Sequence, residues 1–470
     1  MRRLLTLCMY AAICGIAVAQ ESPRLVVGIT IDQLRTDFLE SFSALYGENG
    51  FKRLFRNGQV YKNVKYPFKH ISKASAAATI VSGTSPYTHG IVADGWINRK
   101  NLQFENCVED RAVAGYNTQV GSSPNKLLVS TIGDEIKLAT EGKGLVYSIA
   151  TDRLISVLSA GHAADWALWI DEKTGNWAGS KYYGERPPYW VSPLEFEERT
   201  LIEKGSNNAR VTRAANYCIT SGTCGADHIT DFLSLSYDAG GTVNANIDNI
   251  RQTYIELDME IANLLQTIER SVGIDKTLIY LTSTGYNESP TLLQTINHRI
   301  PTQEFSMSRC MALLNMYLVA LHGKGNYVEA YFDNHIYIDN KLLEEKKLKV
   351  QDVLQECENF LYQFDGIQEV YTSTRLLQGA WSPQQNYIRN GYNRKHSGDI
   401  IIEIAPGCTV EDSGNGKIKV WRTSWVDFPL FFFGYKLEAK QETTPKSIEY
   451  IAPTVARYAR IRAPNGCEER

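Results

Sequence analysis

The sequence predicts an α/β protein, with a mostly parallel central sheet and helices on both of its faces. Three observations predict it. Short, β-branched apolar runs recur along the chain and end in polar or turn residues. A long amphipathic helical pattern separates two of them. Aspartates stand at or just beyond the carboxyl ends of two runs, the edge where ligands gather in such sheets.

The first run, Arg24-Leu-Val-Val-Gly-Ile-Thr-Ile-Asp32, reads as a buried parallel strand that ends on Asp32. A helical stretch is expected from Gln33 to about Tyr46. Leu145–Ala150, Phe232–Ser236 and Thr277–Thr282 repeat the strand pattern, and Asp238 lies just past the second of these. Ile247 to Ser271 reads as a helix with Ile250, Tyr254, Leu257, Ile261, Leu264 and Leu265 on one face. Three stretches read as insertions forming a cap over the carboxyl edge. They lie near 94–125, near 166–228 (with Trp166, Trp169, Trp177 and Trp190) and near 286–395. Residues 20–470, with these insertions included, are expected to form a single domain.

The first residues give an address. Arg2 and Arg3 precede an apolar run from Leu4 to Val18, and Ala17-Val-Ala19 is a small-residue cleavage site. Residues 1–19 therefore read as a signal peptide, and the protein as periplasmic or secreted. No later segment is apolar enough to cross a bilayer. A net charge of −3 leaves no electrostatic footprint for nucleic acid or acidic lipid. Past the signal, the cysteines are Cys107, Cys218, Cys224, Cys310, Cys357, Cys408 and Cys467. None has zinc-finger spacing, and in an oxidising compartment Cys218 and Cys224 are candidates for a local disulfide.

The chemistry centres on Lys73-Ala-Ser-Ala-Ala-Ala-Thr-Ile-Val-Ser82-Gly83-Thr-Ser-Pro86-Tyr-Thr-His89-Gly90-Ile91. This segment resembles the nucleophile segment of the alkaline phosphatase superfamily. The similar branch holds nucleotide pyrophosphatases/phosphodiesterases and threonine-dependent phosphomonoesterases. There, Thr/Ser-Gly-x-x-Pro-x-x-His-Gly-Ile follows a catalytic threonine, and its position falls on Lys73. Further matches follow in order. Thr30-Ile-Asp32 resembles the first metal motif, and Thr151-Asp152-Arg153 with Ser159 to Trp169 resembles a phosphate-gripping segment. Arg394 to Ile400 resembles the Ser-Gly-Asp strand, and Asp427 to Gly434 the last motif.

The resemblance implies two zinc ions about 4 Å apart, one on the attacking and one on the leaving oxygen. It also places their ligands. One site falls on Asp238, Thr242 and Asp427, where the last two positions are normally histidines. The other falls on Asp32, Lys73, Thr284 and Gly285, where the last two are normally an Asp-His pair. Asp32 and Asp238 are retained, and Asp427 is a possible oxygen donor. In the phosphate grip Arg153 is retained, Thr151 stands at a lysine position, and Asp94 replaces an asparagine. A lysine cannot form the phosphothreonine-type intermediate, and zinc is not held by lone carboxylates.

The expectation is therefore a pseudoenzyme used for binding or envelope assembly, with no resident cofactor. Its partner would be an unknown protein or an anionic ligand at Arg153. The alternative is a phosphate mono- or diester hydrolase with a rearranged site of Asp32, Asp238 and Asp427. That site would take a divalent metal, with magnesium, calcium or manganese preferred over zinc. Lys73 is expected to pair internally between Asp32 and Asp238, replacing the zinc charge; a solvated loop lysine is the plain alternative. His89 is expected to be structural, and His162 to orient the cap. Ser72 or Ser75 would be a nucleophile only with a base that the sequence does not supply.

Overall fold

The computed structural model describes residues 21–240, 247–286, 304–379, 382–405, 408–411, 418–420 and 426–468. The expected signal peptide and Thr242 lie outside these residues.

Strand β1 (Leu25–Asp32) is buried along its whole length, as its unbroken apolar pattern demands. Helix α1 (Thr36–Ser41) follows, then a short 3₁₀ turn at Ser43–Leu45. The helix expected from Gln33 to Tyr46 is thus shorter and broken. Arg35 is still extended, and Phe42 leaves helical geometry where it stacks on Phe38 and packs edge-on to Tyr254. Strand β2 (Gln59–Lys65) leads through a loop to helix α2 (Lys73–Ser82). Then come β3 (Val146–Ala150), α3 (Arg153–Ala160), β4 (Trp166–Ile170) and β5 (Trp177–Ser180). Helix α4 (Asn207–Thr220), β6 (Asp231–Asp238), α5 (Ile247–Ser271) and β7 (Thr277–Ser283) complete this stretch.

A second lobe is built from α6 (Met307–His322), β8 (Val328–Phe332), β9 (His335–Ile338), α7 (Val350–Leu361), β10 (Ile367–Thr372), α8 (Pro383–Asn390) and β11 (Ile400–Ile404). The chain then returns to the main sheet in β12 (Phe428–Gly434).

The main sheet runs β2-β12-β7-β1-β6-β3-β4-β5, with short strands on both edges. Its five central strands, β7-β1-β6-β3-β4, are mutually parallel. Helices α4 and α5 cover one face and α2 and α3 the other, each over its own apolar core. The register sets Asp32 directly beside Asp238. Parallel neighbours in register end together, so both acids reach the same carboxyl edge.

The 166–228 stretch is corrected: it is not a cap. Trp166 and Trp169 sit on β4 and Trp177 on β5, inside the main sheet, and α4 packs on its face. These tryptophans are almost completely buried, which is why their apolar bulk belongs to the core. Near 94–125 a hairpin (Gly95–Asn98 with Gln103–Asn106) leans on the second lobe, with Trp96 stacked on His396 at 4.0 Å. The second lobe has its own four-stranded sheet, β8-β9-β11-β10, and its own core, and it runs past residue 395. The Cys218–Cys224 disulfide is also corrected. Both are buried thiols in mutual hydrogen-bond contact, each enclosed by the core beneath α4. Among the described residues no helix is long and apolar enough to cross a membrane.

Candidate functional site

Helix α2 begins at the site. Ser72 is its N-cap: its hydroxyl accepts from the Ser75 N–H, and the Ser75 hydroxyl accepts from the Ser72 N–H in return. The run Ala74, Ala76, Ala77, Ala78 is small because this helix packs closely inside the core. At its far end Gly83 adopts φ +66 and ends the helix; a Cβ there would fall 2.6 Å from Cys467 Sγ. Beyond the turn, the Ile91 N–H donates to His89 Nδ1 at 3.1 Å. His89 Nε2 therefore carries the proton and donates to Thr79 Oγ1 at 3.0 Å, while that hydroxyl donates to Ser75 O. Burial holds the His89 pKa down to about 3, so the ring is a neutral strut, as expected.

Lys73 is the first residue of α2. Its ammonium lies 3.3 Å from Asp32 Oδ2 and 3.3 Å from Asp152 Oδ2. This corrects the expected pairing. Asp152, not Asp238, is the second direct partner; Asp238 acts on Lys73 only through its field. Asp152 is held there by the start of α3, because its other oxygen caps the N–H groups of Leu154 and Ile155. Burial works against charge on Lys73. The attraction of Asp152, Asp32, Asp238 and Asp94 outweighs it and raises the lysine pKa well above its usual value. Two carboxylates at 3.3 Å and a place on the first turn of α2 make Lys73 an ion-paired residue, not a solvated loop lysine.

Asp32 is buried, and burial pushes its pKa up against the opposing pull of Lys73 and the Thr284 hydrogen bond. Thr284 donates to Asp32 Oδ1 at 2.7 Å, and the Tyr286 hydroxyl to Oδ2 at 3.3 Å. Asp238 lies at the open end of β6, where its Oδ1 accepts from the Gly240 N–H. The protein around it and the charge of Asp32 push its pKa up to about 6. Asp94 accepts from the Ala74 N–H at 2.9 Å, filling the N-terminus of α2 with a carboxylate; burial raises its pKa to about 6.

Asp427 is exposed just before β12, and it is not among the acids that shift Lys73. Arg153 follows Asp152 and donates to Ser122 Oγ at 3.4 Å. Among the described residues it has no ion pair; Asp165 instead pairs with Lys137 at 2.7 Å. Thr151 is half-buried at the end of β3, its N–H donating to Ser236 O. Ser72 and Ser75 serve the helix cap. His162 is held by Asp134 at 3.0 Å and by Leu127 O, and the Asp134 hydrogen bond raises its pKa. The structure brings Lys73, Asp32 and Asp94 together, and it adds Asp152, which is not among the expected site residues; its place between Thr151 and Arg153 is the available signal.

These residues do not fit two zinc ions. The Asp32 oxygens are engaged by two hydroxyls and an ammonium, and Gly285 offers no side-chain donor. Among the described residues no group of three or more His, Cys, Asp or Glu is placed to hold a metal.

The model of the type I phosphodiesterase/nucleotide pyrophosphatase family matches residues 26–426. The chain belongs to this family, within the alkaline phosphatase superfamily. It is 26% identical to the alkaline phosphatase PafA of Elizabethkingia meningoseptica, over 94% of this chain and 93% of that one. It is 25% identical to the alkaline phosphatase PhoV of Synechococcus elongatus, over 94% of this chain and 91% of that one. The crystal structure of wild-type PafA superposes with a TM-score of 0.83, covering 95% of this chain and 98% of PafA. Murine ectonucleotide pyrophosphatase/phosphodiesterase 5 shares the fold at 12% identity, with a TM-score of 0.51 and coverage of 94% and 96%. The chain is thus a phosphatase-family protein whose expected superfamily, branch and α/β architecture are all found.

Proposed function

We propose that this family member is a secreted or periplasmic pseudoenzyme, a phosphatase fold that works by binding. One observation carries the reading: an ammonium, Lys73, is ion-paired to Asp32 and Asp152 at the position where the resemblance places the attacking threonine. The protein's own groups answer both charges that the reaction would bring. Lys73 supplies the cation, and Asp94 supplies the anion at the α2 N-terminus. An incoming phosphate would meet Asp94 and Asp152 as like charges. Arg153, without an ion pair among the described residues, is the group left to contact an anionic ligand or an acidic loop of a partner.

The test is metal analysis of the purified full chain, followed by assay with aryl phosphate mono- and diesters with and without added zinc, magnesium, calcium and manganese. The reading predicts no stoichiometric metal and no turnover. Bound metal, together with turnover that Asp32→Asn abolishes, would instead establish the alternative hydrolase.

A further inference from the structure

The loop from Tyr66 to Ser72, which delivers the chain to Lys73, is gripped by the second lobe at successive residues. The Tyr387 hydroxyl donates to Tyr66 O, and Asn390 Nδ2 donates to Pro67 O at 2.9 Å; both donors lie on α8. Lys69 Nζ lies 2.8 Å from Glu403 Oε2, and His70 Nε2 lies 2.6 Å from Glu403 Oε1. Asn334 approaches His70 Nε2 at 3.2 Å and is itself fixed by donating to Ile402 O.

Glu403 is the centre of this grip. It interrupts the isoleucines of β11, and its side chain is 0% exposed. Ile400, Ile402 and Ile404 belong to the lobe core, so strand alternation turns Glu403 to the opposite face. A carboxylate buried in such a strand is costly unless paired. Burial would raise its pKa, but His70 and Lys69 overcome this and hold it below the ordinary glutamate value. Neither partner belongs to the second lobe: both come from the loop ahead of α2, and Lys73 lies three residues after His70.

We propose that Glu403 is a positioning residue for Lys73. Through Lys69 and His70 the second lobe clamps the approach to α2, and this keeps the Lys73 ammonium between Asp32 and Asp152. The inference rests on the ion-paired reading of Lys73 and extends it by giving the second lobe a task at the head of α2.

The test is limited acetylation of the folded full chain with acetic anhydride, read lysine by lysine by mass spectrometry. Lys62 (46% exposed, in a surface pair with Glu40) is the open reference, and Lys126 (19% exposed, paired to Glu105) is the enclosed one. In the unsubstituted protein Lys73 should react at least about tenfold more slowly than Lys62, since each unit of raised pKa cuts the free amine tenfold. Glu403→Ala should speed Lys73 severalfold relative to Lys126. Glu403→Gln, which keeps the size of the side chain and one acceptor oxygen for one of the two partners, should restore part of the protection. Should Glu403→Ala not fold, the paired change Lys69→Met with His70→Phe releases the loop from its own side and should give the same speeding. A ratio of Lys73 to Lys126 unchanged in the folded variants overturns the clamp, whatever happens to the melting temperature. Rapid acetylation of Lys73 already in the unsubstituted protein would instead overturn the ion-paired reading on which the clamp rests.

Discussion

The two ends of helix α2 have been treated differently. The far end keeps its whole scaffold: Gly83 ends the helix, and His89 ties the turn at Ile91 to Thr79 and Ser75. The near end presents an ammonium held by two carboxylates. The difference teaches that the constraints separate. Packing and backbone hydrogen bonding at the turn are conditions for folding, whereas the first residue of the helix need only satisfy the local charge. The backbone N–H groups of a helix's first turn have no intrahelical partners, so the groups around that end, rather than the ladder, set what its first residue must satisfy.

Substitution at each end sharpens the comparison. His89→Ala removes a fully buried ring and both of its hydrogen bonds. It should cost about 3–5 kcal/mol in denaturant unfolding. Lys73→Met should cost about 3 kcal/mol, because Asp32 is left buried without its counter-charge. Adding Asp32→Asn to Lys73→Met should recover part of that loss, since the most deeply buried carboxylate is then neutral while Asp152, its other partner lost, keeps the N–H groups of α3. If Lys73→Met were neutral, the near end would be an idle surface and the comparison would break.

Much of this was legible in the sequence, for reasons that differ by residue. β1 and α5 were readable because unbroken apolar runs and a one-sided apolar stripe leave few alternatives; Ile247–Ser271 is the helix expected. Trp166, Trp169 and Trp177 were misplaced into a cap, because an edge of the sheet switches to antiparallel pairing there, which no local pattern announces. At the site, motif spacing put Lys73 at the nucleophile position close to Asp32 and Asp238, and the structure sets it at the head of α2 with Asp32 beside Asp238. The spacing could not show that Asp152, a helix cap by its local pattern, turns its second oxygen to Lys73. That contact depends on how α2 and α3 pack.

The smallest expected effect concerns protons. Asp94 and Asp238 both titrate near pH 6 rather than at the ordinary aspartate value of 3.8. A carboxyl whose pKa is raised by folding is penalised when ionised, so the penalty is full above about pH 6 and disappears as the pH falls towards 3.8. Asp94→Asn mimics the protonated form and still accepts from Ala74. It should therefore be more stable than the unsubstituted chain at pH 7.5, with the gain shrinking towards pH 4. A difference between the two proteins is needed because His89, held neutral, pushes the whole-protein profile the other way below 6.5. A stability difference that does not change with pH would contradict the raised Asp94 pKa.

The central claim is that the protein's own ammonium occupies the place of a cation at the head of α2. Crystals grown with excess zinc, measured at the zinc absorption edge, test it most directly. The account predicts no anomalous density between Asp32 and Asp238, with Lys73 Nζ within hydrogen-bonding distance of Asp32 and Asp152. A zinc peak seated on those carboxylates, with Lys73 swung away, would contradict it.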